Sequence, residues 1–181
     1  YPKGRSGRPL VVRNMPVFQK KVERNDGLWE DYNIPCHRPI FILQGAFLDK
    51  DRGVREAVRA LGLIANGTLV VVGAGVEFEW AMKQVESSDG RLFCLPKLPF
   101  ESLRKLTASA DVGLSLDRGV HGNYWMSLPN KLFDYIHAEI PVVVSPMPEV
   151  KKIVVDWEVG AVITDHAPES IAAAIEHVLA Q

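Results

Sequence analysis

Cysteine is scarce in this chain, with only Cys36 and Cys94 among 181 residues. Their separation matches neither a redox pair nor a thiolate metal site, and such sparing use fits a reducing, cytoplasmic compartment. None of the five histidines stands at ligand spacing from a Cys, Asp or Glu, so no metal site is expected. No apolar run approaches the roughly 18 residues a membrane-spanning helix needs, and no signal-peptide pattern is visible. Excess charge is missing too: the formal net charge is −1, which gives no bulk reason to bind nucleic acid or an acidic membrane surface. Internal repeats and low-complexity tracts are absent as well.

What is present is enough material for one sizeable hydrophobic core, with or without an appendage. The chain opens on Tyr1 rather than methionine, which suggests a fragment of something longer. Residues 1–38 are rich in proline, glycine and charge, and within them only Pro9 to Arg13 resembles a short strand. They read as a lead-in or interdomain segment.

From Pro39 to the end, apolar strands alternate with amphipathic helices. Strands are expected at Ile40–Leu43, Leu69–Val72, Arg91–Cys94, Val112–Leu116, Ile140–Val144 and Gly160–Ile163. Helices are expected over Asp51–Leu63, Glu77–Val85, Pro99–Ala108, Pro148–Val155 and Pro168–Ala180. A further helix is expected to begin at Leu128 or Pro129. Strands that are apolar throughout suit a sheet covered on both faces, and the alternation implies a doubly wound parallel α/β sheet with right-handed crossovers. In such a sheet ligands bind beyond the carboxyl ends of the strands, where the strand order reverses.

The most informative stretch is Ser127-Leu128-Pro129-Asn130-Lys131-Leu132-Phe133-Asp134-Tyr135-Ile136. Ser127 can offer a capping oxygen, and Pro129 suits the first helical position. The free amides and positive dipole end of this helix favour an anion such as a diphosphate. Lys131 opposes the dipole there, so it is locally unfavourable unless an anion lies nearby. Asp134, three residues on, shares its side of the helix, while Leu132, Phe133 and Ile136 can turn inward.

Other turns carry weaker signals. Gly45 would let a phosphate approach the backbone and Arg52, at the next helix start, could meet the same anion; a turn glycine and a solvated arginine explain both equally well. Val72-Gly73-Ala74-Gly75 lacks the third glycine of a dinucleotide fingerprint, because Phe78 takes its place, and is better read as a tight turn. Leu95-Pro96-Lys97-Leu98-Pro99 either lines a flat base pocket or is a proline-stiffened connection. The loop from Asp117 to Met126 is unusually polar and aromatic for this edge of a sheet. Its His121 reads as a surface histidine, since no nucleophile accompanies it.

Taken in order, Gly45 with Arg52-Gly53, Leu69 to Gly75, Leu103 to Leu114, Leu128 to Tyr135 and Ile140 to Val143 resemble the C-terminal domain of GT-B glycosyltransferases of the family 4 type. The resemblance runs from about Pro39 to the end and is strongest around Leu128 to Val143. It implies a Rossmann-like domain, residues 39–181, that holds a nucleotide-diphosphate sugar, with an acceptor-binding domain N-terminal to it. Sugar transfer with retention of configuration is implied, with no cofactor. Asp134 matches the acidic residue that holds the ribose. The family's companion glutamate would fall at Met126 and is absent. Asn130 and Lys131 match a subgroup with a Pro-Asn-Lys start.

The resemblance places Arg52 at the diphosphate with Gly45, Leu128, Asn130 and Lys131. A companion arginine expected beside Gly45 is Ala46, and Lys131 is placed to supply that charge. Leu95, Pro96 and Lys97 match the stretch beside the base. Asn123, Tyr124 and Ser127 are candidates for the sugar end. No catalytic residue is assigned, and a general base is not expected within this chain. A lipid-carried acceptor would bring the protein to the inner face of a membrane as a peripheral partner. Two other readings stay open: half of a nucleotide-sugar epimerase, which shares the two-domain architecture, and a non-catalytic nucleotide-binding or scaffolding module.

Overall fold

The structure, a computed structural model, describes residues 15–120 and 125–181. Its centre is a six-stranded parallel sheet of β1 (Ile40–Gly45), β2 (Thr68–Gly73), β3 (Leu92–Pro96), β4 (Val112–Ser115), β5 (Val142–Val144) and β6 (Gly160–Val162). The strands lie in the order β3-β2-β1-β4-β5-β6.

Successive side chains of a strand face opposite ways, and here both faces are covered. Phe41, Leu43, Leu69 and Val71 pack under α2 (Val54–Leu61), α3 (Val76–Met82) and α7 (Pro168–Leu179). Ile40, Ile42, Val70 and Val72 pack under α1 (Leu28–Asp31), α4 (Phe100–Ala108), α5 (Asn130–His137) and α6 (Pro148–Asp156). This two-sided burial is why the strands are continuous apolar runs. The order reverses at β1, which pairs with β2 on one side and β4 on the other. The crevice for a ligand is therefore set by topology between the carboxyl ends of β1 and β4.

The expected elements from Pro39 onward are all present, with shifted ends. Two shifts matter for function. The helix expected from Asp51 is broken: Lys50–Arg52 form a short 3-10 turn, and α2 starts only at Val54. Between them Gly53 takes φ +73°, and a Cβ there would lie 2.4 Å from that of Leu116, so no other residue fits. Arg52 thus belongs to the turn before α2 rather than to a helix start. The helix expected from Leu128 or Pro129 begins instead at Asn130, with Pro129 extended in the capping position. The first turn of the helix therefore starts at Asn130.

The sequence pattern gives no warning of α1, whose four residues are too few to show a period. Its Trp29 is fully buried and its indole N–H donates to the Ser109 carbonyl at 3.1 Å, so this part of the lead-in packs against the sheet layer. The strand expected at Pro9 to Arg13 lies outside the described residues.

Tyr135 ties α5 to the split in the sheet. Its buried hydroxyl lies 3.1 Å from the Leu114 carbonyl and 3.3 Å from that of Ile42, and accepts the Gln44 N–H at 3.3 Å, so one side chain spans β1 and β4. The ring rests on Gly113, where an added Cβ would come within 2.3 Å of it. Gly113→Ala is therefore expected to cost about 1–3 kcal/mol, read as a lower urea midpoint of the ligand-free chain. An unchanged midpoint would contradict this packing.

Candidate nucleotide-binding cleft

A cleft of about 490 Å³ opens at the carboxyl edge of the sheet. Gln44 to Leu48 line it from the end of β1, Arg52 from the 3-10 turn, Val72 and Gly73 from β2, and Lys97 and Leu98 from the loop after β3. Asp117 closes it from the exit of β4, and Pro129, Asn130, Lys131 and Asp134 from the start of α5. Lys131 and Asp134 share the cleft because a spacing of three brings side chains to one face of a helix.

One end of the cleft is cationic. Lys131 Nζ lies 3.0 Å from Asp117 Oδ1, and Arg52 Nη1 lies 3.1 Å from the same oxygen. The side chains of Lys131 and Asp117 are 9% and 3% exposed, and that of Arg52 is 27% exposed. Asp117 Oδ2 is buried and has no hydrogen-bond partner among the described residues. Burial holds the Lys131 ammonium below the usual lysine range; Asp117 opposes that shift and Arg52 adds to it. The loop that delivers Asp117 is itself anchored, with the Arg118 N–H donating to the Asp51 carbonyl at 2.8 Å and its guanidinium pairing Glu56 at 2.7 Å.

The other end presents a carboxylate. Gln44 Nε2 donates to Asp134 Oδ2 at 3.0 Å, while Gln44 Oε1 faces the Thr107 hydroxyl at 2.8 Å, which fixes the amide's orientation. Burial raises the Asp134 carboxyl above its ordinary value, against the hydrogen bond from Gln44. At the mouth, the Lys97 ammonium stands 3.7 Å over the Phe47 ring, and Phe47 is 65% exposed. A ligand suited to this arrangement is anionic at one end and offers hydroxyl donors at the other.

Of the residues singled out from sequence, Gly45, Arg52, Lys97, Asn130, Lys131 and Asp134 meet in this cleft. Leu95, Pro96, Ser127 and Leu128 do not line it; Leu95 and Leu128 pack on the sheet's core instead. Asn123, Tyr124 and His121 lie outside the described residues. Sequence reasoning marked the loop that begins at Asp117 but assigned no role to Asp117, Gln44 or Phe47. Gln44 and Asp117 did carry a signal, since each is a polar residue set directly at the end of an apolar strand.

The sequence matches the profile of the family described as glycosyl transferases group 1 over residues 38–181. No curated protein matches it. Among solved structures it is similar to HepE of Anabaena, solved in complex with UDP, with a TM-score of 0.73 and 14% identity over 88% of this chain and 44% of that one. It is also similar to sucrose-phosphate synthase of Thermosynechococcus elongatus, with a TM-score of 0.68 and 19% identity over 88% of this chain and 40% of that one. A third is the C-terminal domain of the group 1 glycosyl transferase LpcC of Francisella tularensis, with a TM-score of 0.65 and 18% identity over 89% of this chain and 85% of that one. The chain thus spans less than half the length of HepE and of the synthase. At these identities the likeness shows the fold, a Rossmann-like sheet matching the C-terminal half of the GT-B architecture. With the family profile matched over most of its length, the chain belongs to the group 1 glycosyl transferases.

Proposed function

We propose that this chain is the donor-binding half of a glycosyltransferase, which moves a sugar from a nucleoside diphosphate to an acceptor held by a domain N-terminal to it, with retention of configuration. The observation that carries this reading is the division of the cleft. Lys131 with Arg52 stands at one end and Asp134 at the other, and Lys131 and Asp134 lie three residues apart on one helix. The likeness to HepE, solved with UDP, supports a nucleotide ligand.

In this reading the diphosphate lies against Lys131, Arg52 and the first amides of α5, with Gly45 giving the backbone close approach. The ribose hydroxyls donate to Asp134. Lys97 and Leu98 flank the base, and Asn123, Tyr124 and Ser127 are assigned to the sugar end. When the bond from the anomeric carbon to the diphosphate oxygen breaks, its electron pair stays with the diphosphate. Donors held in place before that charge develops lower the barrier without reorganising. The acceptor domain, and with it most of the turnover, lies beyond this chain in this reading. An acceptor on a lipid carrier would bring the protein to a membrane's inner face as a peripheral partner, and among the described residues no helix is long and apolar enough to cross one.

Thermal unfolding with UDP, GDP, CDP and ADP tests donor binding. The cognate diphosphate at about 100 times its dissociation constant should stabilise by roughly 2.7 kcal/mol; no shift with any of the four at millimolar levels would refute the assignment. Residue roles separate by ligand. Lys131→Ala should lose about 1.5–3 kcal/mol of affinity for the diphosphate and little for the nucleoside, whereas equal losses would contradict its role.

Asp134 carries a trade-off between stability and binding. Its folded carboxyl holds a proton more tightly than the ordinary value of 3.8, so it contributes stability below that pH which is lost as pH rises through the raised value. Asp134→Asn removes that loss. The ligand-free variant should melt above the wild type at about pH 7.5 and equal it near pH 3.5, while binding nucleoside diphosphate more weakly. A variant that melts lower at neutral pH would contradict the burial argument.

A further inference from the structure

We propose that Asp117 keeps Lys131 charged in the empty cleft, so that the site carries its positive charge before any diphosphate arrives. The nature of the ligand rests on the reading above; the charge-holding role does not.

An ammonium as buried as that of Lys131 is unstable without an opposite charge, and ordinarily sheds its proton instead. Its surroundings make this worse. Lys131 sits at a helix start, where the dipole is positive, and Arg52 approaches the same carboxylate oxygen from the 3-10 turn. Among the described residues, the other charged groups of the cleft and of the loop beside it are engaged elsewhere. Asp134, on the same helix, is held by Gln44, and Lys97 lies over Phe47 at the mouth. Arg118 pairs Glu56, and the His166 ring is 2.9 Å from Ser145 Oγ. Asp117 is therefore the compensating anion that the geometry supplies, at 3.0 Å and almost fully buried.

One carboxylate between two cations leaves the trio with a net positive charge of one. That arrangement suits a site for an anion: enough negative charge to keep both cations protonated and fixed, too little to neutralise them. Removing the carboxyl charge should make Lys131 lose its proton near neutral pH. An incoming diphosphate would then have to bring one.

The test follows the lysine side chains of the ligand-free protein by carbon-13 spectroscopy across pH, with Lys131 assigned by its loss in Lys131→Met. In the wild type its midpoint should lie below the usual lysine range yet above neutrality. In Asp117→Asn it should fall by roughly two pH units or more. A wild-type midpoint below neutrality, or equal midpoints in the two proteins, would overturn the proposal. If Asp117→Asn alone does not fold, combining it with Lys131→Met should restore folding, because no buried amine is left to be stripped of its proton; a pair that stays unfolded would also overturn it.

Calorimetry with inorganic pyrophosphate in two buffers of different ionisation enthalpy gives a second readout. Near neutral pH the Asp117→Asn variant should take up about one more proton per ligand than the wild type, and equal uptake would count against the proposal. Displaced lysine titration with no pyrophosphate binding to the wild type would uphold Asp117's role and fail the donor-site reading instead.

Discussion

A buried ammonium is the constraint around which the cleft is built. Lys131 lies under the open edge of the sheet, at the end of a helix whose dipole repels it. It is tolerable there because the loop leaving β4 returns Asp117 to within 3.0 Å. That demand propagates outward. The loop has to be held, which Arg118 does against Asp51 and Glu56, and the 3-10 turn has to bring Arg52 to the same oxygen. The turn in turn needs Gly53 in a left-handed conformation against Leu116. A short chain of contacts thus links a backbone angle before α2 to the charge of the cleft.

The opposite end is fixed by an independent set of contacts. Tyr135 spans the two strands that part at the switch point, and its neighbour Asp134 takes its hydrogen bond from Gln44 at the end of β1. Thr107, from α4, holds the Gln44 amide so that its donor end faces the carboxylate. Because Lys131 and Asp134 belong to one rigid helix, the distance between cationic and acidic ends does not depend on loop motion. The fold supplies the crevice, and α5 supplies the spacing across it.

Much of this was legible in the sequence, for reasons that also show where legibility stops. Continuous apolar strands could only belong to a doubly covered sheet, and the helical periods placed its layers. Lys131 at a helix start gave its own warning, since it demands a nearby anion; that anion proves to be Asp117 within the chain. Asp117 was not identified because it pairs with residues 14 and 65 positions away, and such pairings leave no mark in spacing. Ser127 and Pro129 look like a cap and a first helical residue, but the proline itself occupies the capping position, and the expected set of amides moved on accordingly. Trp29 was read as part of a polar lead-in because its partner, the Ser109 carbonyl, is 80 positions distant.

The central claim is that the crevice between β1 and β4 receives a nucleoside diphosphate along α5. Amide spectra of the nitrogen-15-labelled chain, titrated with UDP, GDP, CDP and ADP, test it most directly. At least one of the four should move Gly45, Asn130, Lys131 and Asp134 in saturable fashion, and leave the amides of α6 and α7 in place. Shifts confined to residues away from the carboxyl edge of the sheet, or none with all four nucleotides, would contradict the account.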